Sequence, residues 1–377
     1  MSDDNKKVGI LTFSYSSNPG SVLQAYALQQ TISELEGYDA TIINYQKNSA
    51  DKPVLFKNVF HLPLKQWRPR VVANWLVRMF AFPWRMRKYE KFFKEYYLGF
   101  SKKPYSREEL FTIQNNYDKF VVGSDQVWNF DSINVDNTYF LDFVNDDSKK
   151  ISYAASFGQA EISEKKREEL VKMIGAFSSV SVREQSGVDI VYDLIGKKAS
   201  LVLDPSLIFP EKRWDELAVE PTDKEYLMLY LREDSDEATK LAQDIATRYN
   251  LKVKKALLHW ICDENGNKSH PLGPTEWLGY IRNARFVITN SFHGICFSLV
   301  FKKEFFVNML NGYKKSTNTR MESLLKTFGL EERKIYSSED ALSLDAIDYA
   351  NVDKIKKQKT EESKKFLKKA LDGELVK

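Results

Sequence analysis

Apolar residues along the chain fall into short runs separated by turn-forming clusters. Val8-Gly9-Ile10-Leu11-Thr12-Phe13 reads as a buried strand, followed by the turn-rich Ser16-Ser17-Asn18-Pro19-Gly20-Ser21. Val22, Leu23, Tyr26, Ala27, Leu28, Ile32 and Leu35 then recur at helical spacing up to Gly37, and Thr41-Ile42-Ile43-Asn44-Tyr45 is the next strand. Strand, glycine loop, helix and strand in that order open a Rossmann-like domain. Further strands are predicted at 119–122, 150–154, 179–182 and 201–203, with a helix at 184–195 between the last two.

A second series follows a boundary at 209–223. It runs through strand 226–231, amphipathic helix 235–249, strand 252–257, helix 274–283, strand 285–289, helix 292–301 and strand 305–309. Strands alternating with helices predict parallel sheets. The lysine-rich stretch 352–370 reads as a C-terminal helix. The fold class is therefore α/β, with a first Rossmann-like domain over 1–208, a second over 209–345 and a helical tail over 346–377. Residues about 50–107 break the rhythm with Pro53, Pro63, Pro69 and Pro83 and read as an insertion on the first domain, rich in basic and aromatic residues.

Length and composition fit this division. The 377 residues are ample for two domains, and 43% hydrophobic with 29% charged residues is ordinary for a globular chain. A net charge of +4 does not argue for nucleic acid, and no base-stacking module accompanies it. In the insertion, basic residues outnumber Glu90, Glu95, Glu108 and Glu109 and interleave with Trp67, Trp75 and Trp84. Peripheral contact with an anionic membrane surface or a lipid-linked glycan is one expectation for it, and a solvated helical face is another. The two cysteines, Cys262 and Cys296, make no disulfide framework, no apolar run is long enough to span a membrane, and the polar N-terminus is no signal peptide. The expected setting is cytoplasmic, at most at the inner membrane surface. His61, His259 and His270 have no ligand spacing, so no metal site is expected.

Ligands of open parallel sheets bind beyond the carboxyl ends of the strands. Those ends carry Gly123-Ser124-Asp125-Gln126-Val127-Trp128-Asn129, Ser181-Val182-Arg183-Glu184, Leu203-Asp204-Pro205-Ser206-Leu207 and Ser291-Phe292-His293-Gly294. With Leu23-Gln24-Ala25-Tyr26-Ala27-Leu28 and Gly273-Pro274-Thr275-Glu276-Trp277-Leu278, these segments resemble, in order, the motifs of the polysaccharide pyruvyl transferase family, over about 8–330. The resemblance implies two domains in a glycosyltransferase-B-like arrangement around a cleft. It also implies transfer of the enolpyruvyl unit of phosphoenolpyruvate onto two sugar hydroxyls to form a pyruvate ketal, without bound cofactor. A nucleotide-sugar glycosyltransferase of the same architecture and a non-catalytic carbohydrate-binding protein are the rival readings.

Roles follow from side-chain chemistry. Phosphoenolpyruvate carries a phosphate and a carboxylate, which suit guanidinium forks, and Arg183 is the first choice. Where some relatives place an Arg two residues before the motif histidine, this chain has Ser291, so Arg320 and Arg232 are candidates to stand in. His293 opens a helix whose free N–H groups, with Ser291 and Gly294, favour an anion. A bound multivalent anion favours the imidazolium and makes His293 a general acid. Asp125 is the candidate to activate a sugar hydroxyl. Asn18, Gly20, Gln24, Ser124 and Trp128 are expected on the acceptor side. Asp204 reads as a structural residue of the domain junction, and Cys296 as a small buried thiol.

Overall fold

A computed structural model describes residues 5–45, 47, 84, 86–101, 103–130, 135–257, 260–262, 268–310, 318–335 and 337–374. Most of the predicted insertion lies outside these residues, including Trp67 and Trp75.

The first unit opens with β1 (Lys6–Leu11), α1 (Pro19–Ser33) and β2 (Tyr38–Ile42). After α2 (Arg107–Thr112) come β3 (Lys119–Val122), β4 (Lys150–Ser152), α3 (Glu164–Gly175), β5 (Ser181–Val182), α4 (Gln185–Ile195) and β6 (Ser200–Leu201). Its parallel sheet runs β2-β1-β3-β4, and single bridges from Ile151 to Ser179 and from Ala155 to Val182 carry it on to the β5-β6 pair. α5 (Pro205–Ile208) and α6 (Glu211–Leu217) fill the predicted linker.

The second unit contains β7 (Tyr226–Leu231), α7 (Asp236–Tyr249), β8 (Lys252–Leu257), β9 (Trp260–Cys262), β10 (Lys268–Pro271), α8 (Pro274–Asn283), β11 (Phe286–Thr289), α9 (Phe292–Val300) and β12 (Glu304–Val307). Its order is β10-β9-β8-β7-β11-β12. The β8-β7-β11-β12 core is parallel, whereas β9 and β10 form an antiparallel edge. That edge departs from the all-parallel expectation, because strands of three and four residues are too short to show alternation. α10 (Thr319–Phe328), α11 (Ser338–Ser343) and the long α12 (Tyr349–Asp372) complete the chain.

Each sheet reverses its winding beside its first strand, between β1 and β3 and between β7 and β11. These are the positions where open α/β sheets bind ligands. Helix α1 joins the two units. Thirteen of its fifteen residues are buried, so apolar residues surround it instead of forming one stripe. Its polar Gln29 is buried but satisfied: Nε2 donates to the carbonyls of Ala40 and Leu98, and Oε1 accepts from Leu98 N. One apolar core runs from Val8 and Ile10 of the first sheet through Leu23 and Leu28 of α1 to Ile295, Val287 and Phe305 of the second.

The C-terminal helix crosses back to the first unit. Ser363 Oγ accepts from Leu203 N, Phe366 packs near Tyr153, and Tyr38 Oη donates to Asp372. A helical run at 86–96 also reaches both units. Tyr97, just beyond it, donates to the carbonyls of Ser14 and Val22, and Lys88 pairs with Glu276 at 2.5 Å.

Candidate active site at the junction of the two units

The ends of β3, β5 and β6 and the start of α9 converge on one carboxylate. Asp204 is the N-cap of α5, and its Oδ1 accepts from Ser206 N and Ser206 Oγ. Oδ2 accepts from Ser124 Oγ at 2.7 Å and from Arg183 Nη1 at 3.0 Å, and it stands 3.7 Å from His293 Nε2. Burial works to raise the Asp204 carboxyl, but His293, Arg183 and Ser206 outweigh it and hold it far below the usual range. Sequence reasoning cast Asp204 as structural. It is the point where both units meet, and its place directly before Pro205 was the available signal.

Arg183 is enclosed. Nη1 donates to Ser124 Oγ and Asp204, Nη2 reaches Asp125 Oδ1 at 3.5 Å, and Nε faces Glu184 Oε2 at 3.7 Å. Its guanidinium lies 4.2 Å from the centre of the Phe292 ring, and its side chain has no exposed surface. Burial disfavours the cation, but Asp125, Asp204 and Glu184 more than compensate and raise its pKa. With both terminal nitrogens engaged, Nε buried without a hydrogen bond and its face on Phe292, Arg183 has no exposed surface for a donor. The expectation that it grips the donor directly is corrected to that of a clasp holding three carboxylates.

Asp125 adopts φ +79°, a left-handed backbone that Asp tolerates better than bulkier residues. Its Oδ2 accepts from Ser21 Oγ at 2.5 Å and its Oδ1 from Gln126 N at 2.9 Å. Burial raises its carboxyl, but Arg183, His293 and the Ser21 hydroxyl outweigh this and lower it. A carboxylate occupied on both oxygens and made less basic is ill suited to take a proton from a sugar, which corrects the reading of Asp125 as that base. Glu184 shows the reverse balance. Burial raises its carboxyl despite Arg183, while its Oε1 accepts from Phe157 N at 3.0 Å.

The acceptor-side expectations divide. Trp128 has no exposed surface, stacks on Phe140 and donates from Nε1 to the Tyr139 carbonyl, so it packs the core and cannot meet a sugar face. Gln24 is fully buried and donates to Thr12 Oγ1 and the Ser21 carbonyl, which shapes the first loop from within. Ser124 is spent on Asp204 and Arg183. Asn18 is half-buried at the N-cap of α1, where its Oδ1 accepts from Gly20 N. Gly20 touches the other unit: a Cβ there would lie 2.4 Å from His293 Cγ. The residue must be glycine because the imidazole rests against it.

In the second unit, Asn290 ties two strand ends, accepting from Arg232 N at 2.6 Å and donating to the Glu233 carbonyl. Ser291 caps α9, its Oγ accepting from Gly294 N at 3.4 Å. Gly294 does not clear room for a ligand, because a Cβ there would meet Thr289 Oγ1 at 2.3 Å. The Nε2 of buried His293 has no hydrogen-bond partner among the described residues.

Arg232 is exposed and Arg320 is half-buried. Arg320 lies 5.8 Å from the centre of the same Phe292 ring that Arg183 covers. Burial and the neighbouring Arg183 lower its pKa to about 10, with Glu184 and Asp125 only partly offsetting them. Cys296 is buried, and burial pushes its thiol well up, which fits an inert packing residue. Among the described residues no group of His, Cys, Asp or Glu is arranged to hold a metal ion, and no helix there is long and apolar enough to cross a membrane.

The arrangement has two layers. A closed layer comprises Ser124, Asp125, Arg183 and Asp204, with two carboxylates around one guanidinium. A second layer of His293, Arg320 and Arg232 lies on the second unit's side.

Comparison with known proteins matches the family model described as polysaccharide pyruvyl transferase over residues 18–307. No curated relative matches the sequence. Among solved structures, the chain resembles S. aureus MnaA with UDP at 9% identity and a TM-score of 0.48, over 94% of this chain and 91% of that one. It also resembles the UDP-GlcNAc 2-epimerase of Neisseria meningitidis bound to UDP-GlcNAc, at 10% identity and a TM-score of 0.42, over 95% and 100%. A third is Arabidopsis thaliana UGT89C1 with quercetin, at 12% identity and a TM-score of 0.45, over 99% and 100%. The family model spans well over half of the chain, which therefore belongs to the polysaccharide pyruvyl transferase family.

Proposed function

From that membership we propose that the protein moves the enolpyruvyl unit of phosphoenolpyruvate onto two hydroxyls of a sugar in a polysaccharide or glycan precursor, forming a pyruvate ketal. The observation that supports the reading is the gathering of Arg320 and His293 around Phe292, the guanidinium 5.8 Å and the imidazole 5.4 Å from the centre of that ring, at the start of α9. A cation held in a half-buried site against another cation is stabilised by an incoming multivalent anion. Arg320 and Arg232 take the phosphate and carboxylate of the donor, and the helix end at Ser291 adds its dipole. Arg183 acts through Asp125 and Asp204, fixing the wall against which the donor lies.

The chemistry balances without a cofactor. His293 Nε2 delivers a proton to the methylene carbon of the enol, which becomes the methyl group, while one sugar oxygen bonds to the adjacent carbon. The bond from that carbon to the phosphate oxygen then breaks. The second sugar oxygen bonds to the same carbon, and of the two hydroxyl protons released one restores His293 and the departing phosphate takes up the other. Asp204 Oδ2 lies 3.7 Å from His293 Nε2 and fixes the position of the imidazole at the junction.

The rival reading is a nucleotide-sugar donor, which incubation separates from phosphoenolpyruvate. The acceptor, the cytoplasmic setting and any membrane contact of the 50–107 segment belong to this proposal as well. Incubation with phosphoenolpyruvate and extracted glycan precursors tests it. A mass gain of one ketal per transfer with release of phosphate supports it. Turnover of a nucleotide sugar, with phosphoenolpyruvate inert, would falsify it.

A further inference from the structure

A second concavity lies on the opposite side of the segments that build the clasp. Helix α4 begins two residues after Arg183, and the floor strand β6 leads within three residues to Asp204. Between α4, β6 and the C-terminal helix α12 is a groove of about 540 Å³. Its floor is apolar, formed by Val188, Leu201, Val202 and Phe366, and its rim carries Lys198, Lys365 and Lys369.

Three features set it apart from an ordinary surface fold. First, Leu201 is 39% exposed on an edge strand, a position that proteins usually protect with charge. Second, the charges cancel only in part, since among the described residues Lys369 alone of the rim lysines is paired, with Glu374 at 3.6 Å. Glu362, the acidic lining residue, accepts from Lys359 and Gln358, whereas Lys198 and Lys365 form no ion pair among the described residues. Third, the apolar stripe continues outward. Gln185 and Val188 line the groove, and Tyr192, one turn further along the same face of α4, is 63% exposed.

We infer that this groove seats the headgroup and first methylenes of an anionic phospholipid, docking this face of the protein on an acidic bilayer. Lysines beside exposed apolar residues and a tyrosine match the layered chemistry of a membrane interface. A bare oxyanion would leave the Leu201 floor in water. An extended acidic peptide adding to the edge has little to pair with, because β6 is two residues long and the N–H of Leu203 already donates to Ser363. The inference does not depend on which reaction the junction site performs.

Co-sedimentation with phosphatidylcholine vesicles, with and without phosphatidylglycerol, tests it on the full chain. The expected result is binding to the phosphatidylglycerol vesicles only. Lys198→Glu with Lys365→Glu should weaken it by at least about tenfold. The equally charged control pair Lys172→Glu with Lys240→Glu, on other faces, should retain it, and Leu201→Ser should reduce it. Equal binding by the two charge-reversed pairs overturns the inference, as does binding indifferent to phosphatidylglycerol. Displacement by soluble glycerol phosphate or a poly-glutamate peptide, with Leu201→Ser binding like wild type, assigns the groove to a soluble anion or a peptide and overturns it too. Ketal formation is read separately, so loss of vesicle binding with transfer intact leaves the proposed reaction untouched.

Discussion

Two arginines approach the same phenyl ring and are treated in opposite ways. Arg183, 4.2 Å from the centre of Phe292, is ringed by Asp125, Asp204 and Glu184, and its charge is reinforced. Arg320, 5.8 Å from that centre, is pushed down to about 10. The residue type is the same and the environment is almost shared, so the difference lies in compensation. Arg183 is closed in by three carboxylates, whereas burial dominates at Arg320, which is the arginine proposed to meet the donor.

The largest test of that contrast is Arg183→Met. It leaves buried carboxylates without their cation, and unfolding in urea should show a loss of about 3–5 kcal/mol. An unchanged midpoint would mean that Arg183 is not the clasp. Gly20→Ala comes next. The new Cβ drives into His293, and overpacking at such a contact costs about 1–3 kcal/mol, measured the same way. Transfer should fall with stability, since the imidazole is displaced. Full transfer would uncouple His293 from this contact.

Arg320→Gln should do the opposite of Arg183→Met. Folding stability should hold or rise, because a base with a lowered pKa costs the folded state at neutral pH, a cost that begins to fade only as pH rises past about 10 and is gone above the unfolded value. Donor KM should rise about tenfold to a hundredfold. Loss of stability with an unchanged KM would erase the distinction between the two arginines.

The smallest effect is in acid. The Asp204 carboxyl is held low in the folded state, so its contribution is complete above about pH 4 and fades as pH falls further. Asp204→Asn, which keeps the N-cap oxygen, should flatten the acid limb of the stability profile below about pH 4. A limb as steep as that of wild type would place the acid sensitivity elsewhere.

The sequence pattern carried most of the architecture. Strands at 119–122, 226–231 and 252–257 and the helix at 274–283 coincide with those observed. Phe120–Val122 and Tyr226–Leu231 are apolar runs, 252–257 follows the C-terminal turn of an amphipathic helix, and the helix at 274–283 is marked by Pro274. The 260–271 hairpin edge escaped because its strands are too short to show a period. The site was legible as a neighbourhood, since Ser124, Asp125, Arg183 and His293 do gather. Their orientation was not legible. Whether an arginine edge faces inward or outward depends on carboxylates that approach from distant segments, such as Asp204. Trp128 shows the same limit, because a tryptophan beside a strand end reads alike whether it packs or stacks on sugar.

The return of α12 to the first sheet has a consequence for biosynthesis. The hydrogen bonds from Tyr38 to Asp372 and from Leu203 to Ser363 join segments 334 and 160 residues apart. On the ribosome, the opening half can form its sheet but must wait, with that flank bare, until α12 has emerged. A nascent chain stalled before α12 should therefore be the form most in need of a chaperone.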